Sequence, residues 1–176
     1  MNIWHDISPK RINTEDFIAV IEISKGSKKK YELDKETGLL ILDRILYTST
    51  HYPANYGFIP RTFADDGDPL DVLVLCSEEL LPLSLVRCYP IGVISMIDNG
   101  KYYEKIIAIP FSDPTYSGYR NIEELPAHVF DEMGHFFSVY KALEGKQTAV
   151  DSPIGRDKAV EIIGRAIDSY VENYCR

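Results

Sequence analysis

Residues 65 to 75 set four aspartates, Asp65, Asp66, Asp68 and Asp71, within seven positions and then run into the apolar segment Val72-Leu73-Val74-Leu75. Carboxylates this close repel one another unless cations sit among them. A cluster of this kind tied to a buried strand points to a divalent-metal site. In an extended segment Asp66 and Asp68 project to the same side. Pro69 fixes its own φ and pushes Asp68 toward extended geometry. Asp71 leads into a run whose apolar, β-branched character reads as a buried strand. Three carboxylates are therefore expected to converge at the mouth of a sheet, a rigid platform for a preorganised site. The competing reading is a solvated acidic turn, because Asp-Gly is ordinary turn chemistry. A calcium-binding EF-hand loop does not fit, since its sixth-position Gly and twelfth-position Glu fall out of place.

The chain of 176 residues suits a single domain spanning 1–176 with a substantial core. A formal net charge of -8 disfavours a nucleic-acid backbone or an anionic membrane as partner. It leaves an anionic substrate open, because bound cations invert a local field. Cys76, Cys88 and Cys175 have no metal-ligand spacing, and their odd number argues against a disulfide framework. Met1 to Asp6 lacks a basic stretch followed by an apolar run, and no segment is suited to span a bilayer. A reducing cytoplasm is the expected setting.

Strands are predicted at Phe17 to Ile23, Lys30 to Asp34, Leu39 to Leu42, Val72 to Cys76, Val86 to Met96 and Lys105 to Ile109, with tight turns at Lys25-Gly26-Ser27 and Asn99-Gly100. Many short strands joined by turns suggest a closed or nearly closed β-barrel. A helix is predicted from Pro126 to Leu143, carrying Val129, Met133, Phe136, Phe137 and Tyr140 at helical spacing. A second begins at Ser152-Pro153, an N-cap and first-turn pair. The segment His51 to Gly57 reads as a loop shaped by proline and glycine. The fold expected is α+β and mainly β, a closed barrel with two long C-terminal helices.

The acidic cluster has company. Lys30 and Glu32 share one strand face, Glu22 lies on the strand before them, and Arg44 ends the third strand. Tyr52 and Tyr56 supply two phenols, Asp98 and Lys105 flank the Asn99-Gly100 turn, and Tyr140 and Lys141 sit on the first long helix. Taken singly, each has an ordinary reading: solvated strand charges, packed tyrosines, and an Arg44 that pairs with Asp43 or Glu36. Assembled jointly, they make a metal-plus-phosphate site, with carboxylates for hard cations and Lys, Arg and Tyr donors for phosphate oxygens. His51 and His135 have no cysteine or serine constellation around them and read as structural.

Asp66-Gly67-Asp68-Pro69-Leu70-Asp71-Val72 resembles the signature of the soluble family I inorganic pyrophosphatases of bacterial type. The likeness continues through Val20 to Ile23, Lys30 to Gly38, Asp43-Arg44, Tyr52 to Gly57, Arg87 to Gly92 and His135 to Lys141, in family order. It implies an OB-like barrel and Mg²⁺-dependent hydrolysis of pyrophosphate to two orthophosphates, commonly by a hexamer. Carried over residue by residue, it makes Asp66 and Asp71 primary metal ligands and Asp68 the base that orients water and accepts its proton. Asp98 would help hold metals arriving with substrate, and Glu22 and Glu32 a further ion. Lys30, Arg44, Lys105, Tyr140 and Lys141 would contact phosphate; Tyr56 would hydrogen-bond at the site, with Tyr52 beside it. The His135 helix would lie in a subunit contact.

One position departs from the pattern. After Asp98 the family carries another aspartate two residues before the lysine, where this chain has Tyr103. A phenol stays protonated near neutral pH, its reference pKa being about 10, and is a poor Mg²⁺ ligand. Glu104 could swing in after a bulge, although strict alternation points it to the other face. Otherwise the site is a weaker one that needs more Mg²⁺, or the chain is an inactive relative. The expectation adopted is a working enzyme with weakened metal affinity. Two other classes compete. A non-catalytic OB-like binder of nucleic acid would need a basic, aromatic groove, and a metal-dependent phosphatase would act on nucleotides.

Overall fold

The computed structural model describes residues 1–175. Its strands are β1 (Phe17–Ile23), β2 (Lys29–Leu33), β3 (Leu40–Ile45), β4 (Asn55–Ile59), β5 (Leu70–Val74), β6 (Leu85–Asp98) and β7 (Lys101–Pro110). Helix α1 (Ala127–Val139) follows, then the short β8 (Thr148–Val150) and β9 (Ile154–Gly155), and last α2 (Arg156–Tyr174). The larger sheet runs β1-β4-β5-β7-β6-β8, with β9 also on β6. Strand β1 pairs β6 as well, so it has hydrogen-bonded neighbours on both edges. Only β5 and β7 are parallel among the named pairs; β2 and β3 form a separate hairpin. Among the described residues, no helix is long and apolar enough to cross a membrane.

Side-chain alternation splits the interior into two cores. Val72 and Val74 on β5, with Ile106 and Ala108 on β7, pack with Ala159, Ile162, Ile163 and Ala166 of α2. Their neighbours Leu73, Ile107 and Ile109 point the other way, toward Met133, Phe136 and Phe137 of α1. A strand buried on both faces reads as a continuous apolar run, and these do. Cys76 and Cys88 are buried free thiols, as expected of small core residues.

Three expectations are corrected. Residues 55–59 of the supposed loop form β4 between β1 and β5. Pro53 and Gly57 suggested irregular backbone, but Gly57 is there for close approach: a Cβ on it would stand 1.8 Å from the Val20 carbonyl oxygen. The first helix ends at Val139 rather than Leu143, and a short 3₁₀ turn at Ala142–Glu144 follows. The second helix starts at Arg156, not at Ser152-Pro153, because Ile154 and Gly155 are used in pairing with Val93 and Gly92. Its cap comes from elsewhere in the chain: Asn121 Oδ1 accepts the Arg156 N–H at 3.1 Å.

The Asn99-Gly100 turn forms as predicted. Both residues have positive φ, 52° and 76°, and Asp98 faces Lys101 across a two-residue hairpin. Gly57→Ala is expected to cost about 3 kcal/mol or more, since the clash is with backbone and cannot relax by side-chain rotation. The midpoint of urea denaturation measures it.

Candidate active site

A cleft of about 630 Å³ opens where β1, β2, β4, β5, β6 and β7 meet the end of α1. Glu22, Lys30, Glu32, Tyr56, Asp66, Asp68, Asp71, Asp98, Tyr103, Lys105, Tyr140 and Lys141 all line it. Of the expected site residues, only Tyr52 and Arg44 are absent from its wall. Tyr52 is buried behind Tyr56, with ring centroids 5.3 Å apart, and packs on Phe136.

The acidic segment is not extended, which corrects the geometry expected of it. It is a turn: Gly67 has φ +82°, Ala64 N–H donates to Asp68 O at 2.8 Å, and Asp68 N–H donates to Asp66 Oδ1 at 3.0 Å. Only glycine takes that φ without strain, so the Asp-Gly-Asp spacing works through a left-handed residue rather than through alternation. Asp71 is the second residue of β5, held by register opposite Phe58 and Lys105.

Two β-bulges aim further groups. The β1–β4 register slips between Ile21 and Ile23, leaving Glu22 as the extra residue. Glu22 is only 8% exposed, and its Oε2 accepts the Leu33 N–H of β2 at 2.7 Å. Burial, and then the nearby Asp71 charge, push its carboxyl up to about 8. In the β2–β3 hairpin the register slips between Lys30 and Tyr31, so Asp43 is the extra residue opposite them. Asp43 takes Lys30 Nζ at 3.4 Å and also bonds Arg44. Arg44 Nε reaches Glu144 Oε1 at 2.8 Å, and its Nη2 is buried with no hydrogen-bond partner among the described residues. A guanidinium with an unused buried N–H can donate to an anionic oxygen.

Lys105 sits at the centre, 5% exposed, with Nζ 2.8 Å from Tyr56 Oη and 3.1 Å from Asp71 Oδ2. The rings of Tyr56 and Phe137 lie 5.0 Å from its ammonium group. Lys141 bonds Asp98, and Lys35 bonds Asp68. Burial of the Tyr140 phenol, reinforced by Asp98, keeps it firmly protonated, so it serves as a donor. Burial and the charges of Asp71 and Asp68 raise the Asp66 carboxyl to about 6.

Sequence reasoning did not single out Lys35, Asp43 or Glu144 as site residues. Asp43 was legible as an Arg44 partner; Lys35, in the β2–β3 turn, and Glu144, in a 3₁₀ turn, reach the site through partners distant in sequence. Tyr103 lines the cleft beside Asp98 and Lys105, while Glu104 faces away and pairs with Arg165 of α2 at 2.8 Å. The β6–β7 register is unbroken from Gly92 to Asp98, so the bulge that would turn Glu104 inward is not present.

Among the described residues, no three carboxylates converge as they stand to grip one metal ion. Three of them are turned to lysines instead, Asp68 to Lys35, Asp71 to Lys105 and Asp98 to Lys141. The donor set nonetheless suits a hard cation. It is all oxygen, and the charges of neighbouring carboxylates add to burial in raising the carboxyls of Glu22 and Asp66.

Oxygen ligands for hard cations thus alternate with donors for anionic oxygens, the composition of a metal-assisted phosphoryl-transfer site. The profile of the inorganic pyrophosphatase family matches residues 19–171. The chain is 46% identical over 171 residues to soluble inorganic pyrophosphatase 2 of Chlamydomonas reinhardtii, covering 97% of this chain and 89% of that one. It is 48% identical over 169 residues to soluble inorganic pyrophosphatase 1 of Arabidopsis thaliana, covering 96% and 80%. The inorganic pyrophosphatase of Helicobacter pylori superposes with a TM-score of 0.87 at 42% identity, over 90% of this chain and 95% of that one. That of Thermus thermophilus gives 0.88 at 37% identity, over 97% and 99%. The chain belongs to the inorganic pyrophosphatase family.

Removing Glu144 leaves a half-buried guanidinium with Asp43 as its remaining partner, whereas removing Glu104 only frees an exposed one. Glu144→Ala is expected to lower unfolding free energy by about 2 kcal/mol, and Glu104→Ala by less than about 1 kcal/mol. Paired chemical denaturation curves test the contrast.

Proposed function

We propose that this chain hydrolyses inorganic pyrophosphate to two orthophosphates with Mg²⁺ as cofactor. The observation that carries the proposal is the single cleft in which Asp66, Asp68, Asp71 and Asp98 meet Lys30, Lys105, Lys141 and Tyr140. Asp66, Asp71 and Asp98, with Glu22 and Glu32, would hold the cations. Bound there, Mg²⁺ would neutralise the substrate and make a water molecule more acidic.

The chain's own groups supply the rest. Lys30, Lys105, Lys141, Tyr56 and Tyr140 donate to phosphate oxygens; Arg44, whose buried Nη2 has no partner among the described residues, would join them by turning inward from behind the wall. Such fixed donors act most strongly where charge builds on the leaving phosphate. Asp68 accepts the proton of the attacking water, set between Asp66 and Asp71 by the Gly67 turn and Pro69. Tyr52 supports the Tyr56 ring from behind.

We read the strands paired around β1 as the closed OB-like barrel of the family, a reading supported by β1's two hydrogen-bonded neighbours. A single domain over 1–176, a hexamer in the cytoplasm, and no nucleic-acid or membrane partner complete the proposal. Tyr103 in the cleft favours weaker metal affinity, and with Glu104 committed to Arg165 no neighbouring carboxylate offsets it.

Phosphate release from pyrophosphate, followed across a Mg²⁺ titration, is the primary test. Turnover should require Mg²⁺ and stop with EDTA; release from nucleoside triphosphates but not pyrophosphate would support the phosphatase alternative instead. Asp68→Asn should fold normally and lose roughly 10²–10⁴-fold in kcat, the usual worth of a positioned general base. Tyr103→Asp should lower the Mg²⁺ midpoint by roughly 10-fold, because ligand charge count sets cation affinity. An unchanged or higher midpoint would clear Tyr103 of any cost.

A further inference from the structure

Asp68 has a partner that the hydrolysis outlined above does not use. Lys35 lies in the turn joining β2 to β3, and its ammonium group bonds Asp68 Oδ1. Oδ2 of the same carboxylate has no protein hydrogen bond among the described residues, so one oxygen is held and the other is free to accept. On its far side the same ammonium group stands 5.4 Å from the centre of the Trp4 ring.

Everything behind Lys35 is fixed. Trp4 is the chain's single tryptophan and is 4% exposed. Its Nε1 donates to Thr62 O at 2.9 Å, and its ring stacks on His5 at 4.7 Å. Asn2 clasps the hairpin turn by donating from Nδ2 to Lys35 O at 3.2 Å, while its Oδ1 accepts the Trp4 N–H at 3.0 Å. A Cβ on Gly38 would come within 2.7 Å of Met1 O, so the N-terminal segment and this turn fit as one unit. In front, the ion pair is open: both side chains are 53% exposed. A pair so exposed is held weakly and yields to a competing cation.

We propose that Lys35 is a positioning residue for Asp68, and that its seat against Trp4 couples the state of the carboxylate cluster to the N-terminal segment. Lys35 keeps the Asp68 carboxylate facing the cleft with Oδ2 free. A divalent cation arriving beside Asp68 loosens the pair, and the ammonium group shifts against the indole. The inference rests on Asp68 as proton acceptor.

Two measurements test it on the full chain. In the first, Lys35→Gln is expected to lose roughly 10-fold in kcat for pyrophosphate with KM held within about twofold, and Lys35→Arg to recover most of the loss. An unchanged kcat, a rise in KM alone (the mark of a phosphate contact), or an arginine variant as slow as the glutamine one overturns the positioning role. In the second, Trp4 emission is followed as Mg²⁺ alone is added, at fixed pH because the stacked His5 can quench it. The unaltered chain should show a saturable change and Lys35→Gln none; matching responses, or a flat one in both, overturn the coupling. Should the unaltered chain release no phosphate from pyrophosphate, the proposed function fails, while the emission titration still decides whether Lys35 links cluster and N-terminus.

Discussion

An ammonium ion can be taken almost wholly out of water only if other groups replace its hydration. Lys105, at 5% exposure, meets that condition through Asp71 Oδ2, Tyr56 Oη and two aromatic faces. These partners come from β5, β4 and the α1 side of the core. The parallel β5–β7 pairing is what brings Asp71 level with Lys105. Leu73, Ile107 and Phe137 in the core beneath therefore do more than fill space, since a slip of one residue in that register would turn both charges away from each other. The floor of the cleft is fixed because shifting β5 against β7 would leave a buried charge unpaired, and shifting β4 would take away the phenol bonded to it.

The walls are built differently. Glu22 and Asp43 are each the additional residue of a β-bulge, and bulges re-aim side chains that strict alternation would send elsewhere. Glu22 then ties β1 to β2 through the Leu33 N–H, which hangs the hairpin over the larger sheet. The hairpin carries Lys30, Glu32 and Lys35 and is clasped from outside by Asn2. A fixed floor and a hairpin wall fastened at a few polar points suit a site that must admit a small, highly charged ligand.

How far the sequence disclosed this differs by residue. The strand after the aspartates, the Asn99-Gly100 hairpin and the two amphipathic helices were legible because period and turn chemistry are local signals. Strand β4 was hidden by Pro53 and Gly57, whose ordinary meaning is a loop; Gly57 is required by the Val20 carbonyl, which lies distant in sequence. The start of α2 was misplaced for the same kind of reason, as its cap, Asn121, comes from another segment. Most candidate site residues did meet in one cleft, yet the spacing argument for Asp66 and Asp68 assumed an extended segment where the chain makes a turn, and the aspartates share the cleft without closing on one point. Lys35 and Glu144 could not be singled out, because their roles arise from contacts across 33 and 100 positions of chain.

The charge balance of the cleft explains why one phenol matters. Seven carboxylate side chains, Asp34 included, line it against the four ammonium groups of Lys30, Lys35, Lys105 and Lys141, on a chain already at -8. Left alone, such a surface repels a phosphate anion, and its carboxylates add to the burial that chiefly raises Glu22 and Asp66. Tyr103 stands among Asp66, Asp68, Asp71 and Asp98 as a neutral group, and burial with their charges raises its phenol further. It lessens the repulsion that cations would have to offset, and it removes a ligand that would hold them. In the proposed reaction both effects would weaken the grip on metal, so the residue at this one position would set how much cation the site requires before an anion enters.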